Sequence, residues 1–240
     1  MEFHPSAVRP NFVWTVSLPT SWAYLDTRPA HWSQRVDRII DDFYVGRRLR
    51  PAERKAVRAQ MEATVKGAQE AGVLMSFLLP GATDIGEVAT CSLFLRWANT
   101  APQRAGMSVI SGIFASGKDL ESCQSRYGQS YGVFSEIVKV GPYTDRRDSW
   151  NHQAFIPVDS TTWTLIVSAT APTADISELV RDVVVRVAES FRTYLPRDGE
   201  ESPHLLTPEA AGDIIVESAD SGHDEHNDRY PSDAMQAVEA

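Results

Sequence analysis

Several things are scarce in this chain of 240 residues, and each scarcity removes a class of protein. Cysteine occurs only at Cys91 and Cys123, with no Cys-x-x-Cys spacing. That excludes a disulfide-stapled scaffold and a thiolate zinc module, and the expectation is two buried or half-buried thiols in a reducing compartment. The two could pair only if the fold brings their Cα atoms within about 7 Å. No apolar run approaches the roughly 18–20 residues that a bilayer-spanning helix needs, and residues 1–11 hold no apolar segment resembling a signal peptide, so a cytoplasmic protein is expected. There is no Gly-x-Ser-x-Gly elbow and neither cysteine stands in a recognisable nucleophile motif, so no hydrolytic machinery is visible. No internal repeat is present.

Basic excess is also missing. The formal net charge is −9. Twelve acidic and two basic residues fall in 197–240, which leaves 20 acidic and 21 basic residues in 1–196. A near-neutral body with an acidic tail argues against a nucleic-acid binder driven by bulk charge. The tail is rich in Gly, Ser, Pro, Asp and Glu, and Tyr230 is its only aromatic, so disorder is expected there. The division is a flexible stretch 1–10, one domain over 11–196 and an acidic tail over 197–240. A domain of that length buries roughly 70% of its unfolded-chain surface.

What is present is a helix-on-sheet pattern. Trp163, Leu165, Val167 and Ala169 alternate as in a half-buried strand. Asp175 and Glu178 then resemble a capping box, and Ile176, Leu179, Val180, Val183, Val184, Val187 and Phe191 share one helical face until Pro196. Earlier, Phe12 to Leu18 reads as a strand and Trp22 to Asp26 as its extended return. A helix from Pro29 carries Trp32, Val36, Ile39, Ile40 and Phe43 on one face and ends at Gly46. A second helix from Pro51 carries Val57, Met61, Val65 and Ala68, with Gly72 as its C-terminal cap. Val73 to Leu79 predicts a strand turned by Pro80-Gly81, and Gly86 to Trp97 predicts another. Ser76, Thr90, Ser92 and Arg96 give that sheet one more polar face. Met107 to Phe114 fits a strand or a short helix. Val133 to Val140 is a strand, Asp145 to Asp148 a charged connector, and His152 to Val158 forms a hairpin with Trp163 to Thr170. The class is α+β, a largely antiparallel sheet of five or six strands flanked by two early helices and one C-terminal helix.

The order of these elements, with Leu18-Pro19, Trp22, Asp26, Val138 to Gly141, Pro157-Val158 and Trp163 to Pro172, resembles uncharacterised actinobacterial proteins of the PsbP-like fold. The resemblance spans residues 11–195 and rests on element order and short patches. It implies a non-enzymatic role, binding other proteins or serving a larger assembly, with some members near type VII secretion components. Fold alone does not deliver function.

Candidate chemistry is sparse. Gly112 to Asp119 matches Gly-x-x-x-x-Gly-Lys, so Gly112, Gly117 and Lys118 could cradle a phosphate; Asp119 stands where the metal-binding hydroxyl belongs and would repel phosphate. The plain alternative is a surface turn. His223, Asp224, His226 and Asp228 are metal-capable residue types in a tail without a scaffold, so no metal site is expected. His31 and His152 are each capable of general-base work, in settings that are equally structural. Asp41 and Asp42 are neighbours on a helix and diverge by about 100°, which suits a solvated face. The basic run Arg47, Arg48, Arg50, Arg54, Lys55 and Arg58 is the partner-binding candidate of the body; Arg54 and Arg58 share a helical face. A charge run is more often a solvated face, and the other readings are an acidic partner or the acidic tail itself. The sequence reading is therefore a non-catalytic accessory domain that binds a protein, associated with a secretion or envelope assembly, with no cofactor, no nucleic acid and no membrane insertion. The alternative is a small enzyme or nucleotide-binding protein using the Gly112 loop.

Overall fold

The computed structural model describes residues 10, 12–28, 31–44, 49–82, 88–114, 120–141 and 146–194. The expected flexible stretch 1–10, save residue 10, and the acidic tail lie outside them. In chain order the elements are β1 (Val13–Thr15), β2 (Ala23–Leu25), α1 (Trp32–Phe43), α2 (Pro51–Glu70), β3 (Met75–Ala82) and β4 (Val88–Asn99). They continue with α3 (Met107–Ile113), β5 (Glu121–Gln124), β6 (Ser130–Val140), β7 (Arg147–Pro157), β8 (Trp163–Ala171), α4 (Ser177–Glu189) and β9 (Arg192–Tyr194).

The α+β class stands, with a larger sheet than expected. Seven strands run in the order β2-β3-β4-β8-β7-β6-β5, every neighbouring pair antiparallel, and β1 pairs with β9 separately. Period-two alternation sorts the side chains. Cys91, Leu93, Leu95 and Trp97 of β4 face the same side as Leu165, Val167, Ala169 and Ala171 of β8, and α4 closes this core with Val180, Val184, Val187 and Ala188. On the opposite face Leu25 and Leu78 meet Val36, Ile39 and Ile40 of α1 and Val57, Met61 and Val65 of α2. Further along, Ile110 of α3 covers Phe155 and Ile166. The apolar stripes read from the sequence are thus the contact faces of α1, α2 and α4, except for Leu179, which is exposed on α4 one residue ahead of the buried Val180.

Several boundaries move. Pro80-Gly81 is not a turn but part of β3, where Pro80 stands opposite Thr90. The ladder tolerates the missing N–H because β2 pairs only with Ser76 to Leu78, leaving β3 an edge at that point among the described residues. The ambiguous Met107 segment is helical, and β5 went unpredicted because four mostly exposed residues carry no apolar alternation. Arg147 and Asp148 are not connector residues; they lengthen β7 opposite Val140 and Lys139. No Asp175 capping box forms: α4 has no side-chain cap, and its first turn is approached through Ser177 N–H donating to Ala174 O at 3.2 Å. Nor does that helix reach Pro196. Ser190 Oγ accepts from Ser17 N–H at 2.8 Å and donates to Val187 O at 2.8 Å, and Phe191 turns fully into the core. Phe191 kept the helical period while lying beyond the helix. Gly72 behaves as expected: at φ +62 it takes the left-handed conformation, and Val73 N–H reaches Ala68 O at 2.9 Å, the Schellman closure of α2.

Val184 is fully buried between α4 and the sheet. Val184→Asp places an unpaired charge there, at a cost of several kcal/mol, enough to consume most of a typical domain's stability. The expected outcome is loss of the cooperative transition in thermal unfolding followed by circular dichroism; an unchanged Tm would contradict the helix-on-sheet packing.

Candidate functional site

The antiparallel register of β6 and β7 sets Ser135 opposite His152 and Ile137 opposite Trp150, all on the α4 side of the sheet. Above them α4 begins, and its first residue completes a three-member arrangement. His152 Nδ1 lies 2.8 Å from Ser135 Oγ, and Nε2 lies 2.9 Å from Ser177 Oγ. Ser177 is a residue type that often caps a helix, yet its hydroxyl is spent on the imidazole. His152 and Ser177 are 3% and 5% exposed, whereas Ser135 opens to solvent. The two buried members hold the exposed one.

A neutral imidazole has one donor and one acceptor, and two hydroxyls satisfy both without a charge. Desolvation by burial, the largest influence, holds the His152 pKa below its ordinary value; Glu178 pushes it up and Arg181 pushes it down. The ring is therefore neutral near pH 7.

This trio floors an open groove of about 580 Å³ bounded by β6, β7 and the start of α4. Ile137 and Trp150 supply its apolar floor, and Glu178, Arg181 and Glu121 its charged rim, where Arg181 and Glu121 form an ion pair. β5 pairs only with residues 130–133 of β6. From Phe134 to Val140, no strand among the described residues pairs with that side of β6. Ile137 is 60% and Val140 48% exposed along that length.

The residues expected to form a site are elsewhere. Arg54 binds Asp41 at 2.7 Å, and Arg58 binds Asp37, Glu62 at 3.0 Å and Ser33 at 2.8 Å. The bonds to Asp41, Asp37 and Ser33 clasp α2 to α1, the one to Glu62 lies within α2, and the hydrogen bonds to Asp41 and Asp37 chiefly raise the two guanidinium pKa values. Asp41 is thus an ion-pair partner as well as a surface carboxylate. Arg50 is exposed at the start of α2, where its N–H donates to Glu53 Oε2 at 2.7 Å. Arg47 and Arg48 lie outside the described residues. Gly112 is exposed within α3, so a helix precedes the rest of its motif where a phosphate loop would follow a strand. Gly117 and Lys118 lie outside the described residues, as do His223, Asp224, His226 and Asp228. Among the described residues no group of three metal-ligating side chains occurs. His31 is exposed at the start of α1. Cys91 and Cys123 are free thiols on β4 and β5, with three strands between them in the sheet order, and burial pushes the Cys91 thiol up to about 12. Among the described residues no helix is long and apolar enough to cross a membrane.

Two consequences are measurable. The depressed His152 pKa means the unfolded chain binds a proton more readily than the fold. Its contribution is complete above the free-imidazole value of about 6.5 and is lost as pH falls through the folded value. Urea denaturation between pH 5 and 8 should show stability rising with pH, and His152→Gln should flatten that limb. Arg58→Ala removes the Asp37 and Ser33 contacts of the α1–α2 clasp and leaves Arg54–Asp41; its partners are partly exposed, so about 1 kcal/mol is expected from the denaturation midpoint. A midpoint unchanged from wild type would show that the Arg58 arm of the clasp contributes nothing.

No protein-family model matches the chain, and no curated protein matches it in sequence. Among solved structures, the Ran-binding protein Mog1p of Saccharomyces cerevisiae is similar to it at 10% identity and a TM-score of 0.32, over 49% of this chain and 78% of that one.

Proposed function

We propose that this chain is a protein-binding domain that receives an extended polypeptide segment along β6, in the groove beside α4. The observation that carries this reading is Ile137. It is a large aliphatic side chain, 60% exposed, on the length of β6 that pairs with β7 on one side and has no strand neighbour among the described residues on the other. Backbone N–H and C=O groups on an edge strand template a further strand, and side-chain pockets beside the edge then select its sequence. Trp150 lies opposite Ile137 and is half-buried, so the two provide an apolar anchor at the base of the groove. Aromatic anchors in a concave setting are where binding energy concentrates.

The reading places recognition on β6 rather than on the basic run, since Arg54 and Arg58 are engaged inside the domain. A role in a secretion or envelope assembly and the PsbP-like kinship belong to the same proposal and rest on the sequence resemblance alone. Nucleotide binding gains no support from the helical setting of Gly112.

Selection of random dodecapeptides displayed on phage is the test. Wild-type protein should enrich peptides with alternating apolar positions. Ile137→Lys should bind them at least tenfold more weakly with an unchanged Tm, because the side chain is exposed. Failure to enrich any sequence on the wild-type protein, or equal affinity for the variant, would overturn the reading.

A further inference from the structure

The same groove contains a hydroxyl in an unusual position. Ser135 is exposed, yet its Oγ lies 2.8 Å from the ring of a histidine that is 97% buried, by its 3% exposure. The ring is fixed from its other side by Ser177 at 2.9 Å, itself buried at the first turn of α4. With the proton on Nε2 and donated to Ser177 Oγ, Nδ1 is the acceptor for the Ser135 hydroxyl proton. Nucleophile, base and a group that orients the base are then in line, the arrangement by which a weak hydroxyl nucleophile is activated. The orienting group here is neutral, so the imidazole stays uncharged and basic near pH 7.

We infer that Ser135 is a nucleophile that takes an acyl group from small neutral or cationic esters, with His152 as its general base. In the first step Ser135 Oγ bonds to the ester carbonyl carbon while its proton passes to His152 Nδ1. The tetrahedral adduct collapses, the bond to the leaving oxygen breaks, and the imidazolium protonates that oxygen. Water then attacks acyl-Ser135 in the same way: its proton goes to Nδ1 and on to Ser135 Oγ, and the carboxylic acid departs. The sum is ester plus water giving acid plus alcohol, with no further reactant.

Two features of the groove bear on the substrate class. Ile137 and Trp150 suit an apolar acyl or alcohol portion. Among the described residues the groove carries the carboxylates of Glu121 and Glu178 and the guanidinium of Arg181, which is paired with Glu121, and this balance disfavours an anionic substrate. The start of α4 borders the groove through Ser177 and Glu178, and no side chain caps that terminus.

The experiment uses the full chain with a biotinylated fluorophosphonate and with 4-nitrophenyl butyrate. The expected result is a phosphonyl adduct located on Ser135 by peptide mass spectrometry, and hydrolysis above the solution rate. Ser135→Ala removes one of the two hydrogen bonds of the buried ring, so it should lower Tm by a few degrees while the chain still unfolds cooperatively, lose the adduct and lower hydrolysis about 100-fold, within the usual contribution of a general base and its nucleophile. Lys55→Ala, exposed on α2, should leave both unchanged. The pH–rate profile should rise with a midpoint below the free-imidazole value and then level. Absence of an adduct at Ser135, or an equal rate in Ser135→Ala, would overturn the inference. Adduct formation without any selected peptide would sustain it while sinking the peptide-binding reading, since the two share the groove but not the readout.

Discussion

The fold is closed by one aromatic cluster around Trp97. Its indole meets Phe12 at 5.7 Å, Trp14 at 5.1 Å, Trp163 at 6.3 Å and Phe191 at 6.1 Å between ring centroids, each in edge-on geometry. Such pairs contribute roughly 0.5–1.5 kcal/mol each beyond the area they bury. More important is what they join. Phe12 and Trp14 come from the start of the described chain, Trp97 from β4, Trp163 from β8 and Phe191 from the residue before β9. The two-stranded β1–β9 pair shares no ladder with the large sheet, so these rings are its attachment. That attachment ends α4: Phe191 must enter the cluster, so the helix stops at Glu189 although apolar periodicity would carry it on.

The remaining architecture follows from covering a wide sheet on both faces. α4 spans β7 and β8 on the Trp97 side, while α1 with α2 covers the β2–β3 end of the other face and α3 the part around Phe155. Two helices resting on one end of a sheet also need to be held to each other. Arg54 and Arg58 do this by reaching from α2 to Asp41 and Asp37 of α1. A stretch that reads as a basic patch in one dimension is, in three, half of an ion-pair seam. Local charge counting cannot see this, because the acids that neutralise it lie 13 and 21 residues upstream.

That distinction measures how much was legible. The stripes Val36-Ile39-Ile40, Val57-Met61-Val65 and Val180-Val184-Val187, and the alternation in β4 and β8, are local periodicities enforced by burial, and each became a core face. β5, β9 and the extended β3 were not legible because short or edge strands are held by neighbours rather than by their own pattern. The candidate site was the least legible part. Ser135, His152 and Ser177 are 17 and 25 residues apart and belong to no motif. Their meeting depends on the β6–β7 register and on where α4 begins. His152 alone could be singled out, as a titratable residue in a strand. The serines carried no signal.

The position of that site has a physical reason. β5 begins opposite Val133, β8 ends at Ala171 opposite Trp150, and α4 starts at Ser177, so three elements have an end near His152 while β6 and β7 run on to Val140 and Arg147. Where covering elements stop, a sheet face opens and polar side chains gain access to solvent without leaving the core unsealed. An apolar residue at position 152 would fill the same space, yet the chain buries an imidazole there and provides a hydroxyl for each nitrogen. Burying a polar ring costs free energy that its two hydrogen bonds only offset, so packing alone favours a leucine or phenylalanine. The arrangement makes sense if the exposed end of the relay, Ser135, is the part that acts. The projecting β6–β7 hairpin beside it, with Ile137 and Val140 open to solvent, then presents that hydroxyl to whatever lies along the strand.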